Sequence, residues 1–192
     1  RAAHASCPTA LRADAGGDDA TPLWPVRAGE GALEALQKAK PDAAAWARAT
    51  AFTGKAGSVC HVPSASGSGA PAGVLFGVGD GEDPLAFASA AQALPPGVYA
   101  LECLPGGFQA DEAGAALGFG LGSYAFDAHK GTGGRPRPAE ADAAAAAERG
   151  AGKPLLTVAD ETNKALSPVL AGVELCRDLI NTAPNAMGPA EL

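Results

Sequence analysis

Residues 72–94, AGVLFGVGDGEDPLAFASAAQAL, join an apolar run, a glycine-rich turn and a second apolar segment. The run AGVLFGVG predicts a buried β-strand, since short continuous apolar runs bounded by turn residues are typical of strands covered on both faces. DPLAFASAAQAL predicts a helix, with Asp83 suited to the N-cap and Pro84 to the first helical position. A strand that leads through a tight turn into a helix indicates an α/β protein.

The segments on either side repeat this alternation of strands and helices. Further strands are predicted in TPLWPVR (21–27), GSVCHVP (57–63), PPGVYALECL (95–104) and KPLLTVAD (153–160). Two short helices are predicted within 31–52, and longer ones within 108–130 and 162–182. Pro25 cannot donate a ladder hydrogen bond, so its strand is expected at an edge or at the entry of the sheet. The pattern predicts an α/β layered domain with a mixed sheet.

The composition predicts a modest hydrophobic core. Hydrophobic residues make up 47% of the chain, which is typical of a globular protein, but only 5% of its residues are aromatic and 26 are glycine. The large side chains expected to anchor the core are Trp24, Trp46, Phe76, Tyr99, Leu101, Phe119 and Tyr124.

Two of the predicted helices carry an apolar face. In the first, Ala113, Leu117, Leu121 and Tyr124 recur at helical spacing. Glycines at 114, 118, 120 and 122 weaken this helix, and close approach to another element explains them most simply. In the last helix, of about five turns, the predicted apolar stripe consists of Leu166, Leu170, Val173, Cys176 and Ile180.

Net charge and cysteine spacing exclude several classes of function. A net charge of −7 makes nucleic acid an unlikely partner, since phosphate recognition needs a basic face. No stretch approaches the roughly 20 apolar residues of a membrane helix. The four cysteines form no CxxC pair and are expected to be reduced, buried small hydrophobes, which is typical of a cytoplasmic protein.

The residue types that carry chemistry do not converge on an active site. The three histidines, His4, His61 and His129, lie far apart in the sequence, and no HExxH motif occurs. Cys60 and His61 are neighbours in a predicted strand, where adjacent side chains face opposite sides. The acidic clusters fall in loops or at helix starts, where solvated or capping carboxylates are expected. No catalytic residue and no metal ligand is therefore predicted in this chain.

The strongest local candidate for ligand binding is the turn after the central strand. Gly77, Gly79 and Gly81 follow the strand and precede a helix, an order that can hold a phosphate group. However, Glu82 replaces the third glycine of the GxGxxG pattern, and Asp80 and Asp83 add two further carboxylates. A structural turn is therefore favoured over a phosphate loop.

The end of the sequence, RDLINTAPNAMGPAEL (177–192), predicts the close of one helix and the start of another. Pro184 cannot continue the first helix, and Gly188, Pro189 and Glu191 are suited to the first turn of the second. A first turn without a helix body indicates that the natural protein continues beyond Leu192.

This ending resembles the junction segment of the leucyl (cytosol) aminopeptidase family, whose pattern is close to R-D-L-x-N-x-P-x-N-x-x-x-P-x-x-L. The matching residues are Arg177, Asp178, Leu179, Asn181, Asn185, Pro189 and Leu192, and the first proline of the pattern stands one position later here, as Pro184. ALGFGLGSYAFDAHK (116–130) is similar to a second family segment, A-L-G-W-x-L-G-x-Y-x-F-D. Its matching residues are Ala116, Leu117, Gly118, Leu121, Gly122, Tyr124, Phe126 and Asp127.

The resemblance implies an N-terminal α/β domain with a macrodomain-like mixed sheet flanked by helices, followed by a long linking helix. The implied boundaries are a loose arm over 1–20, the non-catalytic domain over 21–160, the linker helix over 161–183 and the start of an absent catalytic domain over 184–192. The junction motif is carried by Arg177, Asp178, Asn181, Pro184, Asn185 and Pro189.

The family resemblance also implies a function for the parent protein. The missing half would bind two divalent metals, manganese or zinc, and remove N-terminal residues from peptides, as a hexameric cytoplasmic metalloprotease. This domain would shape assembly and access to the active site, and the chain alone would be inactive. The alternative is a free-standing macrodomain-like module that binds a nucleotide or ADP-ribose, which rests on fold analogy alone.

Overall fold

A computed structural model of the chain describes residues 10–13, 20–29, 31, 33–64, 71–83, 85–126 and 152–182. The strands in this part are β1 (Leu11–Ala13), β2 (Thr21–Arg27), β3 (Val59–Pro63), β4 (Pro71–Gly79), β5 (Gly97–Leu101) and β6 (Pro154–Val158). The helices are α1 (Glu34–Ala39), α2 (Pro41–Ala49), α3 (Ala88–Ala93), α4 (Glu112–Gly122) and α5 (Asp160–Asn181).

The strands form one mixed sheet in the order β1-β6-β5-β2-β4-β3. All neighbouring pairs are parallel except β3 and β4, which are antiparallel. The expected α/β class with a mixed sheet is confirmed. The central strands β2 and β4 are buried, as continuous apolar runs predict for strands covered on both faces.

The prediction that Pro25 confines its strand to an edge or entry of the sheet is wrong. Strand β2 lies between β5 and β4 in the centre. Its register explains why: β5 ends at Leu101, which pairs with Leu23, so Pro25 has no β5 residue opposite it. A proline is tolerated within a central strand where its missing N–H falls beyond the end of the neighbouring strand.

Part of the predicted loose arm over 1–20 is also a strand. Leu11–Ala13 pairs in parallel with β6, and Ala10 and Leu11 are buried in the core. This edge strand has only three residues, which is too short to produce an apolar run that could be recognised in the sequence. Residues 1–9 and 14–19 lie outside the described residues.

Helices cover both faces of the sheet, and each face has its own core. Helices α3, α4 and α5 contribute buried side chains to one face, together with Phe76 and Tyr99. Helices α1 and α2 cover the other face, where Trp24 lies over the surface left open by Gly73. A Cβ at Gly73 would overlap the Trp24 ring, so this glycine makes room for the largest side chain of the core.

Four of the seven predicted core anchors are buried, Leu101 and Tyr124 are half-buried, and Trp46 is exposed. Trp24, Phe76, Tyr99 and Phe119 are at most 4% exposed, whereas Trp46 is 41% exposed. Its indole Nε1 donates a hydrogen bond of 2.9 Å to the carbonyl of His61 in the edge strand β3. Trp46 therefore covers part of a sheet edge, which protects that edge from pairing with another strand.

The predicted apolar face of α4 is buried only in part, whereas the explanation of its glycines is confirmed at three positions. Ala115, Ala116 and Phe119 are buried, but Ala113 is exposed and Leu117 and Leu121 are half-buried. The helix turns its small residues inward because it packs closely against its neighbours. A Cβ would contact Leu85 at Gly118 and overlap Leu170 at Gly120 and Ala88 at Gly122.

Helix α5 packs through a face that overlaps the predicted stripe only in part. Of that stripe, Leu170 is buried and Leu166 and Val173 are half-buried, but Cys176 and Ile180 are exposed. The buried face includes Glu174. Compared with the predicted stripe, it is rotated about the helix axis toward Arg177 by roughly a fifth of a turn. The 22 residues of α5 make about six turns, one more than expected.

Two smaller expectations differ from the structure. Helix α3 begins at Ala88, preceded by turns at 85–87, so Asp83 is not its N-cap. Asp83 instead accepts a hydrogen bond of 2.8 Å from the Leu85 amide. Of the cysteines that the structure describes, Cys60 is buried, Cys103 is half-buried and Cys176 is exposed. Among the described helices, none combines the length and apolar character needed to cross a membrane.

Candidate domain-junction site

The two sequence segments with recognisable motifs meet where α4 ends and α5 approaches its last turns. Tyr124 follows α4 by two residues, and Asp178 lies in the last turns of α5. The Tyr124 hydroxyl donates a hydrogen bond of 2.8 Å to Oδ1 of Asp178. The Asn181 amide Nδ2 donates to the same hydroxyl at 3.1 Å. One tyrosine thus joins the α/β domain to two successive turns of the long helix.

Arg177 adds a second connection between the same two elements. Its guanidinium donates a hydrogen bond of 2.8 Å to the carbonyl of Leu121, near the C-terminus of α4. Carbonyls in the last turn of a helix have no partner within the helix, and a cation is favoured there by the helix dipole. The guanidinium also lies 5.3 Å from the centroid of the Tyr124 ring, a distance suited to a cation–π contact.

The position of α4 that makes these contacts possible depends on glycine. A side chain at Gly122 would overlap the carbonyl of Ala88 in α3, and one at Gly120 would overlap Leu170 in α5. Small residues therefore allow α4 to lie against both helices at once. Asp111 fixes the other end of α4 as its N-cap, with the Gly114 amide donating to its carboxylate at 2.8 Å.

Burial and neighbouring charges shift the pKa values of two side chains at this junction, Glu174 and Tyr124. Glu174 is only 8% exposed, and its pKa is raised mainly by that burial. The negative charge of Asp178 raises this pKa further, whereas Lys153 and Arg177 oppose the shift. The pKa of Tyr124 is also raised, mainly by removal from water; the hydrogen bond from Asn181 opposes this shift, and Asp178 adds to it.

Three residues of the predicted junction motif, Arg177, Asp178 and Asn181, lie together here. The other three, Pro184, Asn185 and Pro189, lie outside the described residues. The sequence reasoning did not name Tyr124 or Glu174 as site residues. Tyr124 could have been found from its place in the second motif, but the burial of Glu174 carries no signal in the sequence.

Of the three glycines considered as a phosphate loop, Gly77 and Gly79 lie within β4 rather than after it, and only Gly81 belongs to the turn. The Gly77 amide donates to the Ser58 carbonyl, that of Gly79 to Gly54 and that of Gly81 to Val78, at 2.8, 3.1 and 3.2 Å. A phosphate would need these N–H groups to point at the ligand. This geometry favours a structural role for the three glycines over the phosphate loop, which was the weaker candidate.

No other arrangement of the described side chains resembles a catalytic or metal centre. Within the described ranges, no group of three or more His, Cys, Asp and Glu side chains could hold a metal ion. Cys60 is buried whereas His61 is exposed, as expected for neighbours in a half-buried strand. His4 and His129 lie outside the described residues. The junction can position one element against another, but it holds no reacting group.

Comparison with known sequences gives one family. Residues 22–137 match the family described as M17 aminopeptidase, N-terminal domain, and this match covers more than half of the chain. No curated protein matches the chain.

Two solved structures are similar to nearly the whole chain. A cytosol aminopeptidase from Coxiella burnetii is 29% identical with a TM-score of 0.71, over 95% of this chain and 35% of that chain. A mutant of tomato leucine aminopeptidase is 18% identical with a TM-score of 0.58, over 94% of this chain and 39% of that chain, which is a likeness of fold alone. The chain therefore spans well under half the length of both proteins.

Proposed function

From the premise that the chain belongs to the M17 aminopeptidase family, whose N-terminal domain it carries, we propose that it is the non-catalytic part of a longer exopeptidase. The family expected from the two motifs is thereby confirmed. In the proposed parent protein, the α/β domain covers residues 21–160, the linker helix 161–183, and the catalytic domain starts at 184–192. The arm over 1–20 contributes one edge strand to the sheet.

The chemistry of the parent would come from the part of the protein that this chain does not contain. When two divalent metals, manganese or zinc, are bound there, they would activate water for attack on the first peptide bond of a substrate. The described residues do not fit this role, since none of their His, Cys, Asp and Glu side chains form a metal-binding group. No step of the reaction is therefore assigned to this chain.

The observation that carries the proposal is the contact between Tyr124 and Asp178, which links the end of α4 to the long helix. A helix of 22 residues is long enough to extend about 33 Å. Its direction at the exit from the domain decides where the following segment begins. We infer that the junction residues orient the linker helix and thereby position the catalytic domain.

The role of the domain in assembly and access follows from the same placement. Val169, Leu175 and Ile180 are large apolar side chains exposed on α5, at 51%, 43% and 81%. Exposed apolar side chains on one helix are a suitable contact for another domain or subunit. Peptide substrates, a cytoplasmic location and a hexameric assembly are proposed for the parent on the basis of its family.

An aminopeptidase assay tests the proposal. The full-length parent, supplied with Mn²⁺ or Zn²⁺, should release p-nitroaniline from leucine p-nitroanilide, and the 192-residue chain should not. The control is the full-length parent treated with a chelator. Activity of the short chain alone, or an inactive parent with metal bound, would contradict the proposal.

A further inference from the structure

A crevice of about 700 Å³ opens at the carboxyl ends of the central strands. Its walls come from the end of β2, the loop after β5 and the first residue after β4. Strands β2 and β5 are parallel neighbours, but the chain leaves them in opposite directions. After β2 it enters α1 and α2 on one face, and after β5 it enters α4 on the other. Such a switch point is where open α/β sheets bind ligands.

A cation and an anion stand together at this crevice. The Arg27 Nε donates a hydrogen bond of 2.7 Å to the main-chain carbonyl of Asp80, rather than to its carboxylate. This bond uses one of several N–H donors of the guanidinium. Oδ1 of Asp80 accepts from the Glu82 amide at 3.0 Å, which fixes the carboxylate. Among ion pairs between described residues, none joins Arg27 to Asp80.

The position of Arg27 is held by packing. Its guanidinium lies 5.7 Å from the centroid of the Phe108 ring. Gly81 has a φ of +75°, and a Cβ there would lie 2.7 Å from Phe108 and 2.8 Å from the Arg27 Nε. The loop can therefore pass beneath both side chains only because residue 81 is glycine. A cation fixed in this way is preorganised to bind a carboxylate.

Three apolar side chains form the floor of the crevice, whereas most of its accessible surface is polar and partly made of backbone. Val26, Leu36 and Leu104 are buried and line it. Gly106 and Gly107 form part of the wall, and a Cβ at Gly106 would meet nothing within 4 Å. Glycines allow a ligand to approach the main chain closely. A ligand with both polar and apolar parts, such as a peptide, can contact both kinds of surface.

We propose that this crevice binds a short peptide with free ends, a zwitterion whose carboxylate contacts Arg27 and whose ammonium group contacts Asp80. The neighbouring charges favour this ligand over a phosphate. Glu34, Glu82 and Asp83 add negative charge on the α1 side and on the turn after Asp80. A polyanion would be repelled by this negative charge, whereas a zwitterion offers a carboxylate to Arg27 and an ammonium group to Asp80. The proposal extends beyond the role in assembly and access, and it does not require the parent to be an aminopeptidase.

Titration of the unaltered 192-residue chain with three matched peptides tests the proposal without any substitution. The probes are Leu-Leu, N-acetyl-Leu-Leu, which lacks the ammonium group, and Leu-Leu amide, which lacks the carboxylate. Affinity is measured by calorimetry and by amide chemical shifts of Gly106 to Gln109. Each cap should weaken binding by about tenfold, since it removes one charge-assisted contact. Equal affinities for the three peptides, or no binding of Leu-Leu, would overturn the proposal.

Two substitutions assign the ends of the peptide. Asp80→Asn keeps the acceptor for the Glu82 amide. In this variant Leu-Leu and N-acetyl-Leu-Leu should bind equally well, whereas Leu-Leu amide should still bind more weakly than Leu-Leu. In Arg27→Gln, Leu-Leu and Leu-Leu amide should bind equally well, whereas N-acetyl-Leu-Leu should still bind more weakly than Leu-Leu. Arg48→Gln, at an exposed arginine outside the crevice that bonds Gln37, is the matched control and should leave all three affinities unchanged. The assignment is wrong if both crevice variants weaken the binding of all three peptides equally. It is also wrong if a competition titration shows that inorganic phosphate or ADP-ribose binds more tightly than Leu-Leu.

Discussion

The Tyr124 hydroxyl lies 2.8 Å from the Asp178 carboxylate, although the two residues are 54 positions apart in the chain. This bond connects the segment after α4 to the last turns of α5. Arg177 and Asn181 contact the same tyrosine from the same helix. The long helix therefore leaves the α/β domain in a direction set by one aromatic side chain and three of its neighbours.

Arg177→Lys should destabilise the chain by about 1 kcal/mol, although it keeps the positive charge. Lysine lacks the planar group that lies over the Tyr124 ring and donates to the Leu121 carbonyl. Urea unfolding monitored by circular dichroism measures the change. Arg48→Lys, at an exposed site, is the control and should cost much less. A loss at Arg177 no larger than that of the control would contradict the assigned role.

Gly122→Ala should destabilise the chain by about 1–3 kcal/mol, because the new methyl group would overlap the Ala88 carbonyl. Gly172→Ala in α5 is the matched control. A Cβ there meets nothing within 4 Å, so the substitution should stabilise the helix by up to about 1 kcal/mol. Thermal unfolding of both variants tests the opposite signs. Equal effects would mean that α4 does not approach α3 as closely as described.

Glu174→Gln should raise the melting temperature at pH 7 to 8 and have little effect near pH 4. Burial raises the pKa of Glu174 above its ordinary value of 4.5. A carboxyl with a raised pKa favours folding while protonated, and this contribution is lost as the pH rises through the folded-state pKa. Glutamine removes the buried charge and therefore most of this pH dependence. Glu161→Gln, at an exposed site, is the control. If the melting temperatures of Glu174→Gln and the unaltered chain change in parallel with pH, the prediction is contradicted.

Ile180→Lys should reduce self-association of the isolated chain. Ile180 is 81% exposed at the end of α5, and Val169 lies on the same side of the helix. Apolar side chains that face water in this way favour association between copies. Sedimentation velocity over a range of concentrations measures the effect, with Lys164→Glu as a control at an already charged position. A monomeric unaltered chain would contradict this expectation.

The sequence predicted the order of elements well because apolar runs and turn residues are local signals. Thus β4 lies where AGVLFGVG indicates, and Cys60 and Val62 alternate with exposed neighbours as expected in β3. It failed where pairing or packing with distant residues decides. The central place of Pro25 depends on where β5 ends, and the inward face of α5 depends on the contacts that Arg177 makes with α4.

The candidate site was predictable only in part for the same reason. Arg177, Asp178 and Asn181 stand in a recognisable segment, and so does Tyr124 in another, but nothing in either segment shows that the two meet. The crevice at Arg27 depends on three loops that come together only in the folded sheet. Its charged residues have no special spacing in the sequence.

Amide hydrogen exchange of residues 177–182 tests the central claim, that Tyr124 and Asp178 act together to hold the long helix. Tyr124→Phe and Asp178→Ala should each speed exchange of these amides several-fold relative to those of 166–170. The double variant should exchange no faster than the faster single variant, because both substitutions remove the same bond. Accelerations that multiply in the double variant, or exchange rates unchanged by Tyr124→Phe, would contradict the account.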